Sequence, residues 1–587
     1  MKDKNTLIGT ILIGLLFAGL FYYQSLTDPS TPASQSKKEN KKEVESKETK
    51  TQEVVSNEPV FIQDSAATLV NEEFLELEND KLKVTFTNKG GSIASVEIKD
   101  YLTWDKKSLV LFNKNSQQFQ YLLSTSKGKV GTSSLFFTPN QLENSITYST
   151  TLSSGEKIEQ VYKLSPNDYK LNYDVAINGV NQPLELDWKS KLLTLEHSVS
   201  TERNYSALYY RSSEGKVDHL DEAKDKDEAK VDKQVDWISF KQQFFNATWV
   251  PKGGVSNVSF STLHDKDKTD YVKNYVALGT ITPKSGSVNL KTEWIFSPNR
   301  YGLLKELGTD LEDIVKLSPD NFVFKWIKYI TKIFTIPTFN ILEKAGLNYG
   351  IIILLLTILL KLLLTPLTWS SIKSSAFMKA LKPDIDALKE KYGDDQQKIS
   401  AEQMKIYQQA GVNPLGGCLP MLLQLPILLS MYYFFPNSIE LRQQPFLWAN
   451  DLSSYDAIYT FKEAIFGQSH ISLFTILMTL TSIAMAVYTQ ANSGMANTQP
   501  GMQYIPYIMP VFLMFIFNSF PAALTYYYLL QNVISMAQQW FIQKFFIKEE
   551  SIKQIIEQNK KNPKAPSKWT QKLEEIQKQQ QSNTKKK

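Results

Sequence analysis

Five apolar runs long enough to cross a bilayer crowd into the chain after residue 349, at approximately 349–368, 417–436, 471–490, 504–519 and 521–545. A hydrocarbon core about 30 Å thick takes about 20 helical residues to span. Inside it every backbone N–H and C=O must be satisfied within the segment, which leaves a helical bundle as the fold these runs permit. Between residues 24 and 320 no such run occurs, so the 587-residue chain divides into a membrane part and a water-exposed part.

One further run precedes the gap. Residues 7–23, LIGTILIGLLFAGLFYY, follow Lys2 and Lys4 and end on Tyr22 and Tyr23. No small-residue cleavage site comes after it, and tyrosines favour the bilayer interface, so residues 1–25 read as a retained signal-anchor helix rather than a cleaved signal peptide. Residues 26–61, with SKKENKKEVESKETKTQE at their centre, are polar and mixed in charge and read as a disordered linker. Seven lysines lie from Lys373 to Lys405, whereas 437–470 carries only Arg442 and Lys462. The positive-inside bias then places 369–416, the N-terminus and the basic tail 548–587 in the cytoplasm, and the region between the anchor and the bundle outside it.

That outer region, 62–305, has the alternation of half-buried strands. KLKVTFTNKGGSIASVEI puts Leu82, Val84 and Phe86 on one face before a Gly90–Gly91 turn, and ITYSTTL, KIEQVYKL, YKLNYDVAI and VNLKTEWIF continue the pattern. A large antiparallel β-sandwich is expected. The charged run near 215–234 reads as an exposed loop or short helix. Over 320–336, Lys325, Lys328 and Lys332 stand opposite Phe324, Trp326, Ile327, Ile330 and Phe334, as in a helix lying in the membrane surface. Residues 370–411 read as a helical hairpin with Phe377, Leu381, Ile385 and Leu388 at helical spacing and a turn at Tyr392, Gly393, Asp394 and Asp395.

The first span of the bundle carries a charge. Lys361 stands in IIILLLTILLKLLLTPLT, about 12 Å from the cytoplasmic end if Trp369 marks that interface. Snorkelling to the headgroups is the bland reading, and the stem covers only part of that distance. Thr357, Lys361 and Thr365 share one face at i, i+4, i+8; the last span sets Thr525, Tyr528, Gln531, Asn532, Ser535, Gln538 and Gln539 at steps of three or four, and Gln424 adds an amide on the second. Interhelical hydrogen bonding would explain the hydroxyls. A cation with no Asp or Glu in any of the five spans calls instead for a wet groove and an anionic visitor. Net charge +5 gives no case for specific nucleic-acid recognition, and one cysteine with four scattered histidines excludes a disulfide framework and makes a metal site or catalytic triad improbable.

NPLGGCLPMLLQLPI (413–427), PLT (366–368) after the cation, KYGDDQQKIS (391–400) and FPAALTYYYLLQN (520–532) resemble the YidC/Oxa1/Alb3 membrane protein insertases, and the anchor with its outer β-domain is similar to the Gram-negative type. The resemblance implies a multi-pass α-helical membrane protein of the cell inner membrane. It would have a five-helix core over 349–545, a cytoplasm-facing hydrophilic groove and a periplasmic β-supersandwich. Lys361 matches the family's groove cation, usually arginine, and Thr357, Gln424, Tyr528 and Gln531 match groove-lining positions; Asn532 and Ser535 continue that face. The departure to lysine keeps the charge and loses the bidentate fork. Implied partners are nascent membrane proteins, the Sec translocon, membrane lipids and, through the hairpin and basic tail, the ribosome. No cofactor, metal or enzymatic step is implied. A solute transporter using the same groove, or an anchored sugar-binding protein with passive spans, are the competing readings.

Overall fold

The computed structural model describes residues 71–265, 268–321, 323–393, 395–412, 419–493 and 504–561. The expected anchor and linker, Asp394, Cys418 and the tail from residue 562 lie outside the described residues. The chain divides into two compact units. One is β-rich and runs to Lys316 with Asn437–Glu440; the other is helical and comprises Leu317–Pro436 and the chain from Leu441.

In the β unit, antiparallel strands form sheets of nine, six and four. The alternation read from KIEQVYKL is present: Lys157–Leu164 buries every second side chain. Phe119, on the strand next to one edge of the six-stranded sheet, meets Tyr173, Trp249 and Trp294 of the nine-stranded sheet edge-on at 6.2, 5.3 and 5.0 Å between ring centroids. The two sheets therefore pack face to face. Trp188, Trp237, Trp249 and Trp294 are fully buried; each removes roughly 200 Å² from water, about 5 kcal/mol of apolar transfer. Leu82, Val84 and Phe86 are buried together as their spacing requires. At the Gly90–Gly91 turn both residues have positive φ, and a Cβ on Gly91 would stand 2.7 Å from the Gln160 amide.

The charged run departs from expectation. Val217–His219 and Lys226–Val231 are strands at the outer edges of the nine- and six-stranded sheets. Along the second, Lys226, Glu228 and Lys230 point outward while Ala229 and Val231 pack inward. Edge strands tolerate such charge because it discourages further strand pairing.

The helical unit contains α1 (Ile336–Lys344), α2 (Tyr349–Ala380), α3 (Lys382–Tyr392), α4 (Gln396–Gln409), α5 (Leu419–Asn437), α6 (Leu473–Ser493), α7 (Ile505–Phe517), α8 (Ala522–Phe546) and α9 (Glu549–Lys561). Helices α2, α5, α6, α7 and α8 fall on the five apolar runs. Helix α2 continues beyond its span for 32 residues in all, so the first arm of the expected hairpin is its extension. The break comes at Leu381, where Pro383 begins the next helix. Helix α9 was not foreseen in the basic tail. It starts on Glu549 and Glu550 and ends on Lys560 and Lys561, which suits the helix dipole at both ends.

Candidate functional site: a buried lysine between polar helix faces

Helix α2 packs along α8, and α8 along α6. At the α2–α8 contact Lys361 is 7 % exposed, and its ammonium donates to Ser535 Oγ at 2.7 Å. Ser535 in turn donates to the Gln531 carbonyl at 2.5 Å, so its hydroxyl is used in both directions. One turn further along, the Gln538 amide donates to Thr365 Oγ1 at 2.9 Å and to the Lys361 carbonyl at 3.4 Å. Thr365 also bonds back to that carbonyl. Pro366 cannot donate to Leu362, and this part of α2 relies on side chains for polar contact.

Among the described residues no carboxylate pairs with Lys361, and Ser535 is its one side-chain partner. An ammonium carries three donors. A buried cation left with one neutral acceptor is destabilised by several kcal/mol unless water or an anion completes its shell.

The other proposed groove residues separate. Gln531 is buried one turn from Ser535 on the same face. Thr357 is buried, but its hydroxyl is spent on the Ile353 carbonyl at 2.7 Å and does not reach the lysine. Asn532 is turned away from Lys361: its amide donates to Ser482 Oγ at 2.8 Å and Thr481 Oγ1 at 3.3 Å on α6. One residue further round the helix is a turn of about 100°, enough to move Asn532 from groove to helix contact. Tyr528 is half-buried beside the rings of Phe517 and Tyr527, and Gln424 is half-buried on α5. Neither is hydrogen-bonded to Lys361.

The opposite end of the bundle is held by hydrogen bonds at its helix starts. Asp456 is buried, accepts from Trp448 Nε1 and the Phe474 backbone at 2.8 Å each, and caps the start of α6. The first backbone N–H groups of α8, at Ala522 and Ala523, donate to the Ser454 and Leu452 carbonyls at 2.7 and 3.0 Å.

Over 325–344 the chain is helical, with a π-type turn at Thr331–Thr335 ahead of Pro337, whose missing N–H breaks the regular ladder. Its faces differ from the expected division. Ile327 is buried with Thr331, Thr335 and Phe339, and Thr331 Oγ1 meets Ser430 Oγ of α5 at 2.7 Å. Trp326, Tyr329 and Ile333 are exposed, Lys325 is exposed, and Lys328 and Lys332 are half-buried. One side packs on protein, and the aromatic side remains open.

In the helical hairpin Leu381 is buried, Phe377 and Tyr392 are half-buried, Gly393 takes φ +54°, and Asp395 caps α4 through the Lys398 N–H. The apolar face is covered by α9: Ile552 and Ile556 join Met378, Leu381, Ile385, Tyr407 and Val412. Lys560 pairs with Asp384 at 2.7 Å, and Asn559 donates to the Ala410 carbonyl at 2.9 Å. The signal was the i, i+4 spacing of the two isoleucines, hidden within a charged segment.

Residues 75–334 match the family profile described as the YidC periplasmic domain, and residues 341–550 that of the 60Kd inner membrane protein. A membrane protein insertase YidC from Bacteroides fragilis is 34 % identical over 607 aligned positions, covering 98 % of this chain and 98 % of its own. The chain belongs to the YidC family of membrane protein insertases. A second YidC, from Parabacteroides distasonis, is 33 % identical and covers 100 % of this chain and 99 % of its own. A YidC crystal structure with the first transmembrane domain resolved is 18 % identical, with a TM-score of 0.33, and covers 83 % of this chain and 95 % of that one. Family membership places the β unit with YidC periplasmic domains and the helical unit with an inner-membrane protein.

Proposed function

We propose that this chain inserts nascent transmembrane segments into the inner membrane through the polar face of α2 and α8. The carrying observation is the Lys361 ammonium, buried with a single hydroxyl partner and no carboxylate. Carboxylates on the outer flank of an arriving segment complete its shell for a time, which lowers the cost of drawing them into the bilayer. The hydrogen bonds around Asp456 and the start of α8 support closure on the outer side, so the segment leaves sideways into lipid. No bond is made or broken in this process.

The Lys-rich hairpin and the tail beyond α9 suit a cytoplasmic position, with both termini on that side, and electrostatic contact with the ribosome. Hand-over from a Sec translocon fits the same route. A photo-crosslinking residue replacing Gln531 tests the path: stalled nascent chains should be captured there. Capture only from a lipid-facing control at Val533, 44 % exposed, would overturn it.

A further inference from the structure

Between α5 and α6 the chain forms an antiparallel hairpin, Ala457–Ile465 with Gln468–Ser472, that runs into α6 without a linker. Its two strands differ in their surroundings. The second is fastened to the C-terminal end of α7. Ser472 N donates to Asn518 Oδ1 at 2.9 Å, Asn518 Nδ2 donates to the His470 carbonyl at 2.7 Å and to Gln468 Oε1 at 2.8 Å, and Gln468 Nε2 donates to the Phe515 carbonyl at 3.2 Å. Contacts with Asn518 at both ends of the strand, and with Phe515 in the last turn of α7, lay it across that helix end instead of letting it rise away.

The first strand and the tip are bare. Ile458, Tyr459 and Ile465 are 52, 60 and 49 % exposed, and Phe466 at the tip is 88 % exposed. Phe466 and Gly467 bridge the paired Ile465 and Gln468 with φ of +50° and +76°. Two-residue turns with both φ positive favour Asn-Gly or Asp-Gly, and a phenylalanine there is strained. The chain thus holds a large apolar ring in an unfavourable backbone position, left uncovered by the described residues.

We infer that this hairpin is an interfacial anchor, with Phe466, Ile465, Tyr459 and Ile458 seated in the headgroup and acyl boundary of the outer leaflet beside α7. The occupant follows from continuity. α7 is a 13-residue apolar helix whose exposed side, with Ile508 at 64 % and Val511 at 43 %, suits lipid, and the hairpin is fastened to that helix's end. Apolar side chains with Lys462 and Glu463 nearby match the mixed chemistry of that boundary. The inference rests on the exposed side of α7 lying in lipid, not on what passes through the bundle. Its role is to fix the height and tilt of α7 and α6 against the leaflet.

The test uses the full chain in phospholipid vesicles, with Cys418→Ser and Phe466→Cys carrying a nitroxide. Collision rates with oxygen, enriched in lipid, and with a water-soluble nickel chelate report depth. The oxygen-to-nickel ratio at 466 should exceed that of a label at Lys230, on an exposed strand of the β unit, by at least about threefold. Equal ratios place the tip in water and overturn the inference; shielding from both reagents places it against protein and overturns it too. With the label moved to Tyr459, Phe466→Asn should lower its ratio while leaving the melting temperature unchanged or higher, because asparagine suits the turn. A lower melting temperature would mean that the ring packs on the protein, which also refutes the lipid seat.

Discussion

Replacing Lys361 with glutamine should slow insertion according to the charge of the client, not uniformly. A carboxylate that reaches about 5 Å from the ammonium gains about 3 kcal/mol at an effective dielectric of about 20, or roughly a hundredfold. A wetter groove, with a dielectric about twice that, would leave about 1.5 kcal/mol and roughly tenfold. The structure favours the stronger end of that range, because Lys361 is only 7 % exposed and its one side-chain partner is the neutral Ser535. The assay is insertion of a single-span client into vesicles containing the purified protein, scored by protease protection of the translocated tail. Two tails are compared, one with two aspartates and one with asparagines in their place. The acidic tail should slow by tenfold to a hundredfold, roughly, with Lys361→Gln, while the neutral tail changes by less than about twofold. Lys361→Arg should restore the difference. An equal slowing of both tails would show that the substitution damages the bundle, and no slowing of either would remove the electrostatic role.

Asn532→Leu should lower stability by about 1–3 kcal/mol through loss of its bonds to Ser482 and Thr481, with the acidic-to-neutral client ratio unchanged; thermal unfolding and the same insertion assay check it. Ile556→Asp should release α9 and expose the hairpin, seen as faster proteolysis near residues 381–410 with the bundle intact. In the β unit, burial holds the Lys241 and Lys273 ammonium groups down from 10.5 to about 8, against the pull of Glu222. The folded values lie below the unfolded ones, so each group costs about 3 kcal/mol below pH 8 and the loss is recovered as pH rises towards 10.5. Stability measured by urea unfolding should therefore rise from about pH 8 to 10, and Lys273→Met should flatten that rise; an unchanged slope would exclude the lysine.

The sandwich strands were legible because burial on one face leaves a period that composition cannot hide, and the apolar helices because their runs are long and almost free of charge. Lys361 was legible for the opposite reason, as a charge where none belongs. Its partner could be narrowed only to a face: Gln531, Asn532 and Ser535 lie at neighbouring angles, and which of them meets α2 depends on the rotation of α8. The strands at 217–231 and helix α9 were obscured by surface charge, since a strand or helix with one thin buried side resembles a solvated segment. The buried side of the 325–344 helix was missed because threonines at 331 and 335 carry little hydrophobic signal yet pack where Ser430 of α5 approaches.

Helix α2 is one rod from the lysine to the hairpin, interrupted in its ladder only at Pro366. About 21 Å of helix lies beyond that proline. A bend of about 20° there would carry the far tip some 7 Å sideways, roughly, while the turn holding residue 361 stayed pinned to α8. A load on the two hairpin arms would then swing them through a wide arc without detuning the charge behind the proline.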